Sequence, residues 1–155
     1  MTWAAFGFLL TGVLLNAAAQ LFLKAGTNAT GVITLTADNW LATLARLATI
    51  KNIVGVKEAS GNVTQMAEIC ARVPKDFLVL SGDDALTIPL MAVGGRGLIS
   101  VAGNEVPGEM ARMVERAEQN DFASARRLHE QLLPLMLVNF IESNPIPVKS
   151  AMAAL

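Results

Sequence analysis

The sequence predicts an α/β protein with a parallel sheet, preceded by an apolar helix. Three short apolar runs recur at similar intervals in the second part of the chain, with helical patterns between them. This alternation of strand and helix is typical of repeated right-handed βαβ units. The N-terminal part is different, because it carries a long uncharged segment. At 155 residues, the chain is long enough for about one domain.

Composition excludes several classes of function. Apolar residues make up 53% of the chain and charged residues 16%, against about 25% charged in typical soluble domains. The formal net charge of −1 argues against a nucleic-acid partner, because phosphate binding requires a basic surplus. The only cysteine is Cys70 and the only histidine is His129. We therefore expect no disulfide within the chain, no metal site and no Ser-His-Asp triad.

Residues 3–23 contain no charged side chain, and about 20 apolar residues in a helix suffice to span a bilayer. We predict a transmembrane helix here, in contact with the membrane. Lys24 follows it with no basic residue before it, so the positive-inside rule places residues 24–155 in the cytoplasm, anchored to the inner membrane. Two alternatives stay open: a secretory signal cleaved after the small residues Ala17 and Ala19, and a buried helix of a soluble core.

The uncharged segment also has a family resemblance. Residues 14–26, Leu-Leu-Asn-Ala-Ala-Ala-Gln-Leu-Phe-Leu-Lys-Ala-Gly, resemble the first helix of drug/metabolite-type transporters. A transporter needs several such helices and this sequence contains one, so we expect residues 1–27 to form a transmembrane-like helix without transport activity. Residues 28–45 are predicted to be a junction, in which Asp38 caps a helix that continues to about Leu47.

The three apolar runs are predicted to be strands that are buried on both faces, because none of them alternates polar with apolar residues. They are Ile53–Val56, Phe77–Leu80 and Leu98–Val101. Helix starts are predicted at Asn62, at Asp83 or Asp84, at Pro107, at Asp121 and near Val148. In parallel α/β folds the active site lies at the carboxyl ends of the strands, so the residues after each run are the candidates for chemistry.

Lys57 is the strongest of these candidates. A lysine that is partly desolvated at a strand end has its ammonium form disfavoured, and its amine can then attack a ketone. The alternative is an exposed ion pair with Glu58. Gly82, after the second strand, would let a substrate carboxylate approach the backbone. Residues 94–97, Gly-Gly-Arg-Gly, precede a strand, so they lack the context of a phosphate-binding loop, and His129 is expected on a solvated helix face.

Four sequence blocks carry a second resemblance: residues 52–62 (Asn-Ile-Val-Gly-Val-Lys-Glu-Ala-Ser-Gly-Asn), 80–84, 94–101 and 142–149. In sequence and in order they resemble the dihydrodipicolinate synthase family, which also includes N-acetylneuraminate lyase. The resemblance implies that residues 46–155 form the C-terminal part of a TIM (β/α)8 barrel, about strands six to eight plus the C-terminal helices. It also implies a lyase that condenses pyruvate with aspartate semialdehyde in the diaminopimelate route of lysine biosynthesis.

The same resemblance implies roles for three residues. Lys57 matches the lysine that forms a Schiff base with pyruvate, Ile99 the residue whose backbone holds the pyruvate carboxylate, and Gly82 lies beside that pocket. No cofactor and no metal is implied, because the covalent imine supplies the electron sink. A homo-oligomer and a cytoplasmic location are implied as well. Another pyruvate aldolase of the same family is the alternative activity.

Two blocks of the family are absent from this sequence: Gly-Thr-Thr-Gly-Glu, and Tyr-Asn-Xaa-Pro-Xaa-Arg. The chain contains no tyrosine at all. The hydroxyl groups that relay protons and the arginine that receives the second substrate are therefore missing. We expect a truncated, fusion-like chain that is inactive alone. A non-catalytic, membrane-anchored fusion fragment is the other interpretation.

Overall fold

A computed structural model describes residues 39–154 of the chain. Contacts divide the chain after Thr43, and the unit Leu44–Leu155 contains the sheet. The predicted membrane helix at residues 3–23 lies outside the described residues, as does the Asp38 cap. Among residues 39–154, no helix has the length and apolar character needed to cross a bilayer. The domain boundary near residue 46 stays a prediction.

The described elements alternate between strand and helix as predicted. The helices are α1 (Trp40–Leu47), α2 (Val63–Arg72), α3 (Thr87–Ala92), α4 (Pro107–Glu118), α5 (Phe122–Val138) and α6 (Ile146–Ala154), and the strands are β1 (Gly55–Glu58), β2 (Leu78–Ser81) and β3 (Gly97–Leu98). Two short 3-10 turns, Asp84–Leu86 and Ala102–Asn104, lie in the connections that follow β2 and β3.

The three strands form one parallel sheet in the order β1-β2-β3, which confirms the predicted sheet type. Lys57 pairs with Leu80, and Leu80 pairs with Gly97. Since all three strands run in the same direction, their carboxyl ends lie at one edge of the sheet. The residues that follow each strand therefore come together there.

Two strands differ from their predicted bounds. β1 begins at Gly55 instead of Ile53 and includes Lys57, and β3 is only two residues long. The apolar run of β3 continues to Val101, but the backbone turns away because Gly103 N donates to Ser100 Oγ at 2.7 Å. Hydropathy cannot distinguish residues that pair in a sheet from residues that are buried in a turn, so this end was not visible in the pattern.

Side-chain caps begin three helical elements as predicted. Asn62 Oδ1 accepts from the amides at the start of α2, Asp83 Oδ1 from Ala85 N at 2.9 Å, and Asp121 Oδ1 from Ser124 N at 3.1 Å. Such oxygens satisfy N–H groups that have no partner within the helix. Pro107 occupies the first turn of α4, where its missing N–H costs nothing.

The core lies between the sheet and the helices. Val79 on β2 is 1% exposed, and Met113 on α4 is fully buried. Met113 belongs to an apolar cluster with Ala102, Met110, Leu132 and Met136. The apolar run at residues 132–141 is only partly buried. Pro134 lies inside α5 without ending it, and beyond it Leu137 is 57% exposed and Ile141 72% exposed.

Asn62→Ala is expected to lower the free energy of unfolding by about 1 kcal/mol, because two amides of α2 lose their acceptor. Asn62 Oδ1 accepts from Thr64 N at 3.0 Å and from Gln65 N at 3.2 Å. Urea unfolding followed by circular dichroism measures the change. Asn52→Ala, at an exposed position before β1, is the matched control. Equal losses in the two variants would contradict a capping role.

Candidate functional site

The sheet register brings the three candidate residues to one face. Alternate residues of a strand share a face, and paired residues of neighbouring strands share it too. Lys57 pairs with Leu80, and Leu80 with Gly97, so Gly82 and Ile99 continue the same face two residues further along their strands. Lys57, Gly82 and Ile99 thus lie side by side at the carboxyl edge. This is the juxtaposition that the sequence predicts.

Backbone hydrogen bonds extend the ladder beyond the strand ends. Gly82 N donates to Glu58 O at 2.6 Å, and Ile99 N donates to Ser81 O at 2.7 Å. These bonds fix the positions of Gly82 and Ile99 relative to β1. They also engage the Ile99 N–H, which is therefore not free to donate to a substrate carboxylate. The role of the Ile99 backbone that the family resemblance implies stays a prediction.

Gly82 lies directly beneath the lysine side chain. A Cβ atom at position 82 would lie 2.7 Å from Lys57 Cε, 2.7 Å from Ala59 Cβ and 3.1 Å from Glu58 O. Real Cβ atoms essentially never approach other heavy atoms to less than 3.0 Å. The absence of a side chain at Gly82 is therefore what makes room for the Lys57 stem.

Lys57 is exposed, which differs from the partly desolvated lysine that the sequence analysis expected. Apolar side chains on the same face are exposed too: Leu78 by 39% and Ile99 by 48%. The opposite face is covered by helices, and there Ser81 is fully buried. Whether a sheet face is buried depends on the segments that pack on it, and the residue pattern of a single strand does not predict them.

Glu58 and Ser81 stabilise the loops near Lys57 through side-chain hydrogen bonds. The sequence analysis did not predict this role for either residue. Glu58, which is 4% exposed, accepts from Ser60 N at 2.9 Å and from Gln65 Nε2 at 3.3 Å through Oε1. Ser81 Oγ donates to Asp83 O at 2.7 Å and accepts from Asp83 N at 3.2 Å. The predicted exposed Lys57–Glu58 pair is therefore wrong, because Glu58 is buried on the other face.

Asp84 was assigned a possible capping role, and the structure gives it a different one. Its carboxylate is 1% exposed and reaches across to the loop after β3. Oδ2 accepts from Val101 N at 3.0 Å and from Ala102 N at 2.9 Å. In the sequence, Asp84 is visible only as a polar residue that follows a strand. That position does not predict its contact with Val101 and Ala102, which lie 17 and 18 residues further along the chain.

The other candidates from the sequence lie away from Lys57. Residues 94–97 lead into β3, which begins at Gly97, so they lie at the opposite end of the strand from Ile99. His129 lies within α5 and is half-buried, which differs from the solvated position expected for it. Cys70 lies in α2, where burial, and secondarily the carboxylate of Glu58, raises the pKa of its thiol. In residues 39–154 no group of His, Cys, Asp or Glu side chains could hold a metal ion.

The fold and the site define a class: a parallel α/β protein with a lysine at the carboxyl edge of its sheet, next to a glycine that leaves room for it. The family model described as the dihydrodipicolinate synthetase family matches residues 32–155. The chain belongs to this family. Its described part has the α/β architecture of part of the TIM barrel that the family forms.

Several curated relatives are 4-hydroxy-tetrahydrodipicolinate synthases. The chain is 59% identical to the Koribacter versatilis protein over 112 residues, which cover 72% of this chain and 37% of the relative. It is 48% identical to the Methanosarcina barkeri protein over 115 residues, covering 74% of this chain and 40% of the relative. The chain thus spans about two fifths of the length of these relatives.

Solved structures agree with this assignment. The dihydrodipicolinate synthase of Aquifex aeolicus is 46% identical, with a TM-score of 0.70 over 72% of this chain and 38% of that one. The chloride-inhibited enzyme of Acinetobacter baumannii, solved in complex with pyruvate, is 38% identical, with a TM-score of 0.71 over 74% of this chain and 39% of that one.

Proposed function

We propose that this chain forms a Schiff base with pyruvate through Lys57, as a pyruvate-dependent lyase of its family. The observation that supports this most directly is the position of Lys57 at the carboxyl edge, on the same sheet face as Gly82 and Ile99. The crystal structure of the Acinetobacter baumannii relative contains pyruvate, which supports the choice of ligand. The anchored, non-catalytic alternative rests on residues 3–23, outside the described part, and we do not propose it.

The chemistry follows from a free amine and a ketone. Deprotonated Lys57 Nζ attacks C2 of pyruvate, and the resulting carbinolamine loses water to give a protonated imine. The imine withdraws electrons from the neighbouring methyl carbon, so that carbon can lose a proton and form a new bond to an aldehyde. The amine is regenerated when water hydrolyses the product imine. No metal or cofactor enters this sequence of steps.

The residues around Lys57 have distinct proposed roles. Gly82 provides the space in which the lysine stem and the bound three-carbon acid lie, and Ile99 provides an apolar wall two strands away. Because Ile99 N already donates to Ser81 O, we assign the Ile99 side chain and not its amide to the pocket. We further propose that β1, β2 and β3 are strands six to eight of the family's barrel.

The complete condensation with aspartate semialdehyde is proposed to need more than this sequence contains. The resemblance assigns proton relay and the second substrate to a tyrosine and an arginine of the Tyr-Asn-Xaa-Pro-Xaa-Arg block, and that block has no counterpart in this sequence. Alone, the chain is expected to stop at the pyruvate imine. By the same family argument we propose a cytoplasmic homo-oligomer.

Reductive trapping tests the proposal. The purified chain is incubated with pyruvate and sodium borohydride, which delivers hydride to the imine carbon and makes the bond permanent. Intact-mass measurement and peptide mapping are expected to find one reduced pyruvate per chain, on the peptide that contains Lys57. Lactate is the control, because it has the same carboxylate but no ketone. An absence of adduct at saturating pyruvate would overturn the proposal.

Gly82→Ala is expected to slow the trapping of pyruvate about tenfold. Forcing a methyl group into a filled space costs about 1–3 kcal/mol, and 1.4 kcal/mol corresponds to a factor of ten in rate. Here the methyl group would displace the Lys57 stem. Gly108→Ala is the matched control, because a Cβ there meets nothing within 4 Å. Trapping at the wild-type rate in Gly82→Ala would contradict the assigned role of Gly82.

A further inference from the structure

Asp84 connects two of the loops that surround the candidate pocket. It begins the 3-10 turn after β2, and its carboxylate contacts the segment after β3. Oδ2 accepts from two consecutive amides, Val101 N at 3.0 Å and Ala102 N at 2.9 Å. Asn139 Nδ2, from the end of α5, also donates to Glu105 Oε2 in the segment after β3, but it does not reach the loop after β2. Asp84 is therefore the tie between neighbouring loops.

The hydrogen bonds from Val101 N and Ala102 N to Asp84 are expected to contribute substantially to the stability of this segment. Ala102 is fully buried within the apolar cluster, so its amide has no access to water in place of Asp84. A buried amide without an acceptor costs about 1–3 kcal/mol. Bonds to an ionised carboxylate are about twice as strong as neutral ones. The second oxygen, Oδ1, is buried and has no hydrogen-bond partner among the described residues, so Oδ2 alone makes these contacts.

The tie acts on the segment that carries Ile99. At one end of this segment, Ile99 N donates to Ser81 O at 2.7 Å. At the other end, the amides of Val101 and Ala102 are held by Asp84. Ser81 and Asp84 belong to the same stretch of chain, which also carries Gly82. A single stretch after β2 therefore fixes both ends of the Ile99 segment.

We infer that Asp84 is a positioning residue: by holding Val101 and Ala102 it sets the place of Ile99 on the sheet face that carries Lys57, and thereby the affinity of the pocket for pyruvate. This inference rests on the proposed function. Asp84 contacts neither the substrate nor Lys57. It acts on binding and not on the nucleophile, so its loss should change the concentration of pyruvate required and leave the reaction at saturation nearly unchanged.

The test uses three variants of the whole chain. Asp84→Ala removes the acceptor. Asp84→Asn keeps an acceptor oxygen but loses the charge and puts an amide N–H group where Oδ1 has no partner, so it should lose less than Asp84→Ala but not nothing. It covers the case in which Asp84→Ala fails to fold. Asp83→Ala is the matched control, because the carboxylate of Asp83 bonds only its own turn at Ala85 N.

Two measurements are made on each variant. The first is amide hydrogen exchange of the peptide that contains Val101 and Ala102, which needs no pyruvate. The second is the rate of borohydride trapping as a function of pyruvate concentration. For Asp84→Ala we expect exchange in this peptide about tenfold faster and half-saturation at about tenfold more pyruvate, equal to about 1.4 kcal/mol, with the saturated rate within about twofold of wild type. Asp84→Asn should change both by less than Asp84→Ala does, and Asp83→Ala should change neither.

The outcomes separate this inference from the proposed function. Faster exchange with unchanged half-saturation would mean that Asp84 is purely structural, and an equal shift in Asp83→Ala would mean that the effect is not specific to the tie. Either result overturns the inference. If the wild-type chain forms no adduct, the proposed function fails, and with it the link to pyruvate affinity. The exchange measurement would then still decide whether Asp84 holds the segment.

Discussion

Lys57→Arg is expected to abolish the pyruvate adduct completely. Arginine preserves the positive charge and nearly the length of the side chain, but the guanidinium group stays protonated at any pH at which the protein folds and offers no nucleophilic amine. The fold should be unaffected, because Lys57 is exposed and has no ion pair within the described part of the chain. Borohydride trapping, read by intact mass, makes the comparison directly.

Lys51→Arg is the matched control for this experiment. Lys51 is an exposed lysine just before β1, and the same substitution there leaves Lys57 in place. Adduct formation in Lys51→Arg should equal that of wild type. If Lys57→Arg still forms an adduct, peptide mapping will show which amine carries it. An adduct on another lysine in wild type would remove Lys57 from the role proposed for it.

Met113→Ala is expected to lower the free energy of unfolding by about 2–5 kcal/mol, the range observed when a large buried side chain is truncated in a core. Met113 is fully buried at the centre of the cluster that joins α4 to α5. Its removal leaves a cavity between α4 and α5, which the surrounding side chains can close only in part. Urea unfolding followed by the helical circular dichroism signal measures the loss.

Met152→Ala is the control, because it makes the same substitution at an exposed position. Met152 lies in α6 and is 49% exposed, so its truncation removes little buried surface. We expect a change below about 0.5 kcal/mol, as is usual for surface substitutions. Similar losses at Met113 and Met152 would contradict the placement of the Met113 cluster between α4 and α5.

The order of the elements and the location of the candidate site were predictable from the sequence, because both depend on local signals. Asn62, Asp83 and Asp121 begin helical elements through bonds to residues two or three positions along the chain. The strand runs indicate a parallel sheet by composition alone, and a parallel sheet brings its carboxyl ends to one edge. Lys57 could therefore be placed at that edge without coordinates. The expectation that the chain belongs to a particular family depended instead on the resemblance of the four sequence blocks.

What only the tertiary structure decided involves residues far apart in the chain. The tie from Asp84 to Val101 and Ala102 joins residues separated by 17 and 18 positions, and no periodicity encodes such a pair. The clearance between Gly82 and the Lys57 stem depends on how two strands approach each other. The exposure of Lys57 and the short length of β3 likewise depend on neighbouring segments. Local backbone preferences act over a few residues, whereas burial and long-range hydrogen bonds exist only once the chain has packed.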